Sequence, residues 1–319
     1  MRKNILITGA CGQIGSDLTV ALREKYGRDC VIASDIVEPG PKLGKSGRFE
    51  RIDATDIGLI RRMVKDNGIQ TIFHLVTLLS AASEENPQKA WFVNINSLYN
   101  VLEVAREHGC SIFAASSPAV FGPGAPRENT PQDTILRPVS IYGVTKVAGE
   151  LICDYYHTRY GIDTRGLRFS GVISYETIPH GGITDYAVEM YYEALRKKKY
   201  TCFLREGTRL PFMYIPDAVK SAINLMEADP RLLKHRNAFN VTAMSLSPED
   251  VAQSIRTYIP DFTLDYRIDA VRQSIADSGT RSLDDSVARE EWGWKPDFDL
   301  PALTKDMLDK ISAKLKMKV

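Results

Sequence analysis

The sequence predicts a doubly wound α/β protein, with a parallel sheet over residues 1–170 and a smaller C-terminal α/β lobe over residues 171–319. Three observations carry this. Short apolar runs alternate with stretches of helical period through the first half, with no strong hairpin signal between them. A glycine-rich loop separates the first strand from the first helix, the arrangement that aims a helix N-terminus at a pyrophosphate. Near Gly171 the alternation gives way to glycine and proline clusters and shorter elements.

Asn4 to Thr8 is apolar and rich in β-branched residues, so it reads as a strand. It stops at Gly9, and the glycines Gly9, Gly12 and Gly15 precede an amphipathic stretch to about Tyr26. The spacing is G-x-x-G-x-x-G rather than G-x-G-x-x-G. A second strand, Cys30 to Ser34, ends in Asp35, twenty residues beyond Gly15. An acid there accepts hydrogen bonds from the adenosine ribose hydroxyls, and its charge repels a 2′-phosphate, which favours NAD over NADP. Val37 to Gly47 reads as a loop, and Arg48 to Ile52 as a third strand ending at Asp53-Ala54. Asp53 has two readings, a partner for the adenine amine or a cap for the helix Ile57 to Asn67. Thr71 to Val76 is a fourth strand, and its His74 reads as a satisfied core histidine.

Pro87 to His108 is a long helix, Ser111 to Ala115 a fifth strand ending at Ser116-Ser117, Pro138 to Tyr160 a second long helix and Asp163 to Phe169 a sixth strand. Beyond the cluster Pro179 to Gly182, Asp185 to Lys197 is helical. At Ser247-Pro248-Glu249-Asp250 a helix start is marked, with Ser247 as cap, Pro248 in the first turn and Asp250 returning the bond. Ligands of such sheets lie beyond the strand carboxyl ends, so a lobe added there closes over the cofactor and takes the substrate.

With 319 residues, 44% hydrophobic and 25% charged, the chain can fill a two-lobed core. A net charge of +1 without a basic block gives nucleic acid no groove, and Lys310 to Lys318 reads as a solvated helix end. No apolar run approaches the roughly eighteen residues of a membrane span. The first strand begins at once, so neither signal nor transit peptide is expected. Cys11, Cys30, Cys110, Cys153 and Cys202 lack C-x-x-C spacing and read as reduced thiols of a cytoplasmic enzyme; no metal, zinc included, is expected.

Tyr142 and Lys146 stand four apart on a predicted helix, on one face. An ammonium beside a phenol favours phenolate and draws its pKa toward working pH. Ser117, at the end of the predicted fifth strand, can turn its hydroxyl to the same place. Serine to hold an oxygen, tyrosine to take its proton and lysine to tune the tyrosine fit hydride transfer at a secondary alcohol.

Together the Gly9/Gly12/Gly15 loop, Asp35, Asp53-Ala54, Ser117 and Tyr142/Lys146 resemble the extended short-chain dehydrogenases/reductases of Rossmann fold, which include nucleotide-sugar epimerases and dehydratases. The likeness spans essentially the whole chain. Leu167 to Ser174, Gly181 to Ala187, Leu210 to Asp217 and Leu283 to Ser286 are similar to the short-chain, zinc-free, NAD-dependent type of L-threonine 3-dehydrogenase. Sugar-nucleotide epimerases usually carry Arg-Asp-aromatic-Ile-His, whose arginine holds a UDP phosphate. Aligned on Asp217, this chain has Leu210-Pro211 there, with Arg209 one position away. Where those epimerases have Tyr-Phe-Asn, it reads Arg168-Phe169-Ser170.

The resemblance implies oxidation of L-threonine at its 3-hydroxyl to 2-amino-3-ketobutyrate, with Tyr142 as general base and Ser117 and Lys146 completing the catalytic set. It implies that Gly9, Gly12, Gln13, Ile14, Gly15, Asp35, Ile36, Asp53, Ala54, Leu75, Asn94, Tyr142, Lys146 and Val172 line NAD. Ser80, Ser117, Tyr142 and Thr184 would surround the substrate. Structural alternatives stand beside two of these, Ser80 ending the region after strand four and Thr184 capping the helix from Asp185. Relatives usually have Ser-Trp-Pro before Leu-Asp-Asp, where this chain reads Ser278-Gly279-Thr280-Arg281-Ser282. The rival readings are a nucleotide-sugar epimerase or dehydratase and a non-catalytic dinucleotide sensor, which would not need the phenolate. The two long helices are where the family pairs as a homodimer.

Overall fold

The computed structural model describes residues 4–176 and 182–316. The predicted glycine/proline cluster, apart from Gly182, lies outside the described residues, as do Gly181 and the last residues of the basic tail. The strands are β1 (Ile5–Thr8), β2 (Val31–Asp35), β3 (Phe49–Arg51), β4 (Thr71–His74), β5 (Ser111–Ser116) and β6 (Thr164–Phe169). They continue with β7 (Gly171–Ile173), β8 (Lys199–Cys202), β9 (Leu210–Tyr214), β10 (Phe239–Val241), β11 (Met244–Leu246) and β12 (Thr263–Tyr266).

Seven strands form one parallel sheet in the order β3-β2-β1-β4-β5-β6-β10. The order reverses between β1 and β4, which opens a crevice beyond their carboxyl ends. Period two along each strand assigns its side chains to two cores. Ile5, Ile7, Phe73 and Phe113 join the core under the helices Gln13–Tyr26 and Ile215–Glu227, while Leu6, Ile72 and Ile112 join that of the helices Ile57–Asp66, Ser97–His108 and Ile141–Tyr160. Burial on both faces explains why these strands read as continuous apolar runs.

The second half is interleaved with the first. β7 pairs with β9 and β9 with β11, and β8 pairs with β12, while β10 returns to the large sheet beside β6. The helix Ile215–Glu227 packs against the helix Gln13–Tyr26.

Several local expectations need correction. The segment Val37 to Gly47 is not all loop, because Pro41–Ser46 is a helical turn with Pro41 preset in its first turn. Asp53 does not cap the next helix. Asp56 does, accepting from Gly58 N and Leu59 N, while Asp53 closes the preceding turn by accepting from Thr55 N and Oγ1. Pro87 to His108 is helical throughout but passes through a π turn at Phe92–Asn96. The basic helix end is solvated as expected, with Lys314 exposed, and it is also tethered, Lys310 lying over the Tyr175 ring and Lys314 donating to Glu176 O at 2.7 Å. The capping box at Ser247/Asp250 forms as its spacing predicts.

Candidate active site

A cleft of about 910 Å³ opens beyond the strand carboxyl ends. Its floor begins at the glycine loop. Gly9 adopts φ +77°, and a Cβ there would stand 2.8 Å from Leu75 C; one on Gly15 would stand 2.3 Å from Gly9 O. These two glycines let loop, helix and strand β4 touch. Gly12 differs, since a Cβ there would meet only Gly9 O, at 3.4 Å, so the space beside it belongs to the cleft. Gly12 is also the N-cap of the helix Gln13–Tyr26, and no side chain caps it. The helices starting at Ile57, Ile141, Pro248 and Leu300 are capped by Asp56, Ser140, Ser247 and Asp299. An uncapped helix N-terminus on a cleft suits an anion, and the fit is to a pyrophosphate.

Asp35, at the end of β2, accepts from Cys11 N at 2.9 Å and from Ile36 N at 2.7 Å, which aims its carboxylate across the loop. Burial, reinforced by the charges of Asp35 and Glu38, pushes the Cys11 thiol up to about 12, so it stays protonated. Asp35, Ile36, Asp53 and Ala54 stand at the ends of β2 and β3, beside the cleft rather than on its lining.

Ser117 directly follows β5 and accepts from Ala119 N at 3.2 Å through its oxygen. It shares the cleft with Tyr142, and its hydroxyl acts to lower that phenol's pKa. Tyr142 and Lys146 occupy the first turns of the helix Ile141–Tyr160, and all three residues line the cleft. Lys146 donates from Nζ to Ala115 O at 2.9 Å and sits 5.5 Å from the centre of the Tyr142 ring.

The expected acidification of Tyr142 is absent from the free protein. Burial pushes the phenol up to about 12, opposed by the Ser117 hydrogen bond, and burial brings Lys146 down to about 8. Loss of water around both groups outweighs their mutual attraction.

Gln13, Ile14, Leu75, Ser80, Val172 and Thr184 line the same cleft. Asn94 does not. Its Oδ1 accepts from Leu78 N at 2.7 Å and its Nδ2 donates to Thr145 Oγ1, so it holds the segment after β4 against the helix of Tyr142. Ser80 does stand where the region after β4 ends, as the first residue of the short helix Ser80–Glu85, whereas Asp185 rather than Thr184 is the N-cap of Tyr186–Lys197. His74 is a core residue as expected, its Nδ1 bonded to Thr8 Oγ1 at 2.9 Å and its Nε2 to Ser97 Oγ at 3.2 Å, with burial pushing it down to about 3.

Sequence reasoning missed part of the far wall. Val271, Ser274 and Ile275 of the helix Ala270–Ser278 line the cleft, and so does Ser170, whose buried Oγ has no hydrogen-bond partner among the described residues. The helix Ala270–Ser278 offered only an ordinary amphipathic pattern. At Gly279, on the cleft lining, a Cβ would make ordinary contact with the Ile275 and Ala276 carbonyl oxygens, each at 3.7 Å, so no neighbour excludes a side chain there.

The sequence pattern of the NAD dependent epimerase/dehydratase family matches residues 5–242. The chain belongs to that family. An uncharacterized epimerase/dehydratase of Staphylococcus saprophyticus is 50% identical over 319 residues, 99% of each chain. Among solved structures, L-threonine dehydrogenase of Clostridium difficile is 54% identical with a TM-score of 0.96, covering 98% of each chain. L-threonine 3-dehydrogenase of Trypanosoma brucei is 38% identical with a TM-score of 0.95, covering 99% of each. Family membership makes the protein an NAD-dependent epimerase/dehydratase-type enzyme and implies a nicotinamide cofactor, which fits the glycine loop.

Proposed function

We propose that the protein oxidises the 3-hydroxyl of L-threonine, giving 2-amino-3-ketobutyrate, with NAD+ as acceptor. The observation that carries this reading is the meeting of Ser117, Tyr142 and Lys146 on one cleft with Ser80 and Thr184. The likeness to two L-threonine dehydrogenases over nearly their whole length supports it.

NAD+ supplies the hydride acceptor. The Ser117 hydroxyl holds the reacting oxygen and fixes its direction. The Tyr142 phenolate takes the hydroxyl proton, and the Lys146 ammonium stabilises that phenolate and holds the nicotinamide ribose. Ser80 and Thr184 meet the polar ends of the amino acid. Asp35 selects NAD by accepting from the ribose hydroxyls. The test is NADH formation from NAD+ with L-threonine and L-serine, beside UDP-sugar conversion followed by chromatography, because epimerisation and dehydration return the hydride and leave no net NADH. Turnover with L-threonine alone is expected; UDP-sugar turnover without L-threonine turnover would replace this reading with the epimerase one.

A homodimer belongs to the same proposal. Trp91, Phe92 and Tyr99 on one helical stretch, and Leu151, Tyr155 and Tyr160 on the helix beside it, are all more than two-fifths exposed. Large exposed apolar faces mark interaction sites.

A further inference from the structure

Behind Tyr142 and Lys146 the same helix carries Glu150, one turn beyond Lys146 and on the same face. Glu150 and Arg168 of β6 form an ion pair whose side chains are 4% and 5% exposed. Arg168 donates from Nε to Oε1 at 3.0 Å and from Nη2 to Oε2 at 2.8 Å, a two-pronged contact. Ser116 Oγ donates to Oε1 at 2.5 Å. Arg168 Nη1 reaches further, to Gln132 O at 3.0 Å and to Asn240 Oδ1 of β10 at 3.3 Å. Its guanidinium also lies over the ring of Phe121, a cleft residue, at 5.0 Å.

Successive residues at the end of β5 are thus held from one helix face. Lys146 grips the Ala115 carbonyl, Glu150 grips the Ser116 hydroxyl, and Ser117 follows at once. A buried ion pair contributes little net stability against an apolar pair of the same volume, so its place needs another reason. Resting on the proposed reaction, we infer that Glu150, oriented by Arg168, is a positioning residue that fixes Ser117 against Tyr142 and keeps Lys146 charged.

The electrostatic half follows from what surrounds Lys146. His74 of β4 is buried there and neutral, Tyr142 and Cys153 lie on its own helix, and burial holds both protonated. Asp154, next to Cys153, is raised by its own burial. Glu150 is the leading influence raising Lys146 against its desolvation. With Glu150 neutral, Arg168 would stand unpaired and repel the ammonium, and Lys146 would titrate lower. The phenolate of Tyr142 would lose its cation, and the rate would need a higher pH.

The test is Glu150→Gln, which keeps the shape and removes the charge. In the cofactor-free protein, the pH dependence of Lys146 acetylation, followed by mass spectrometry, is expected to move to a midpoint below about 8. With NAD+ and L-threonine, kcat is expected to fall about ten- to a hundred-fold, with KM changed far less and the rising limb of the pH profile moved upward. Ser116→Ala removes the strand contact and leaves the charge; it should lower kcat without moving the acetylation midpoint, and it serves if Glu150→Gln does not fold. A folded Glu150→Gln protein with only a lower Tm, its acetylation midpoint and pH profile those of the parent, would reduce the pair to structure. So would unchanged kcat in Ser116→Ala. The acetylation arm needs no substrate, so failure of L-threonine as substrate is distinguishable from failure of the positioning role.

Discussion

Burial penalises the ionised form of a phenol, and Tyr142, 9% exposed and pushed up to about 12, is mostly neutral at pH 7 in the free protein. A general base must first be deprotonated. Below its pKa the phenolate fraction grows about tenfold per pH unit. Threonine oxidation is therefore expected to accelerate as pH rises through the neutral and mildly alkaline range, with a limb whose midpoint lies below 12 once the bound nicotinamide adds positive charge. The pH profile of kcat/KM for L-threonine measures this, and a flat profile would contradict the assignment. Tyr142→Phe should lower kcat by about 10² to 10⁴ while leaving NAD+ affinity, read by calorimetry, within a few-fold. At this scale Ser117, Tyr142 and Lys146 were legible because their spacing and strand-end position are sequence properties. The direction of the Tyr142 shift was not, because spacing does not say how much water reaches a side chain. Arg168 was visible only as a departure from the epimerase pattern, and its pairing with Glu150 depends on β6 lying beside that helix.

Among the elements, the glycine loop makes two different demands. Gly15→Ala places a Cβ 2.3 Å from Gly9 O and 2.9 Å from Ala10 Cα, so the helix must move off the loop. Overpacking of this kind costs about 1–3 kcal/mol, and both Tm and NAD+ binding should fall. Gly12→Ala meets only one atom, at 3.4 Å, and fills cleft space. It is expected to keep Tm within a degree or two of the parent and still weaken NAD+ binding, as thermal melts and calorimetry on the two variants would show. Equal losses of Tm in both would refute this division of roles. Strands and long helices were readable here because their periods are strong. The turn Pro41–Ser46 was missed because its glycines and lysines look like loop, and Pro41 alone carries the helical signal. Asp56 displaced Asp53 as a cap because its carboxylate stands where it can accept from both Gly58 N and Leu59 N.

For the whole molecule, the aromatic face of the two neighbouring helices is the surface on which the proposed dimer rests. Tyr99, Tyr155, Tyr156 and Tyr160 stack edge to face along it, and Leu151 is 60% exposed. Light scattering is expected to give twice the chain mass, and Leu151→Glu with Tyr155→Glu should halve it while the single-chain fold persists. A parent protein that is monomeric at all accessible concentrations would end the dimer proposal. The sequence by itself determined the alternation that forces a parallel sheet, the strand-to-helix glycine loop and the placing of Tyr142 and Lys146 on one helix face, since these rest on local period and residue type. Only the tertiary structure decided that β10 returns beside β6, that Val271, Ser274 and Ser170 complete the cleft and that Glu150 and Arg168 stand behind Lys146. These pairings join residues distant in the chain, and whether such groups meet, or keep their water, depends on how the layers pack.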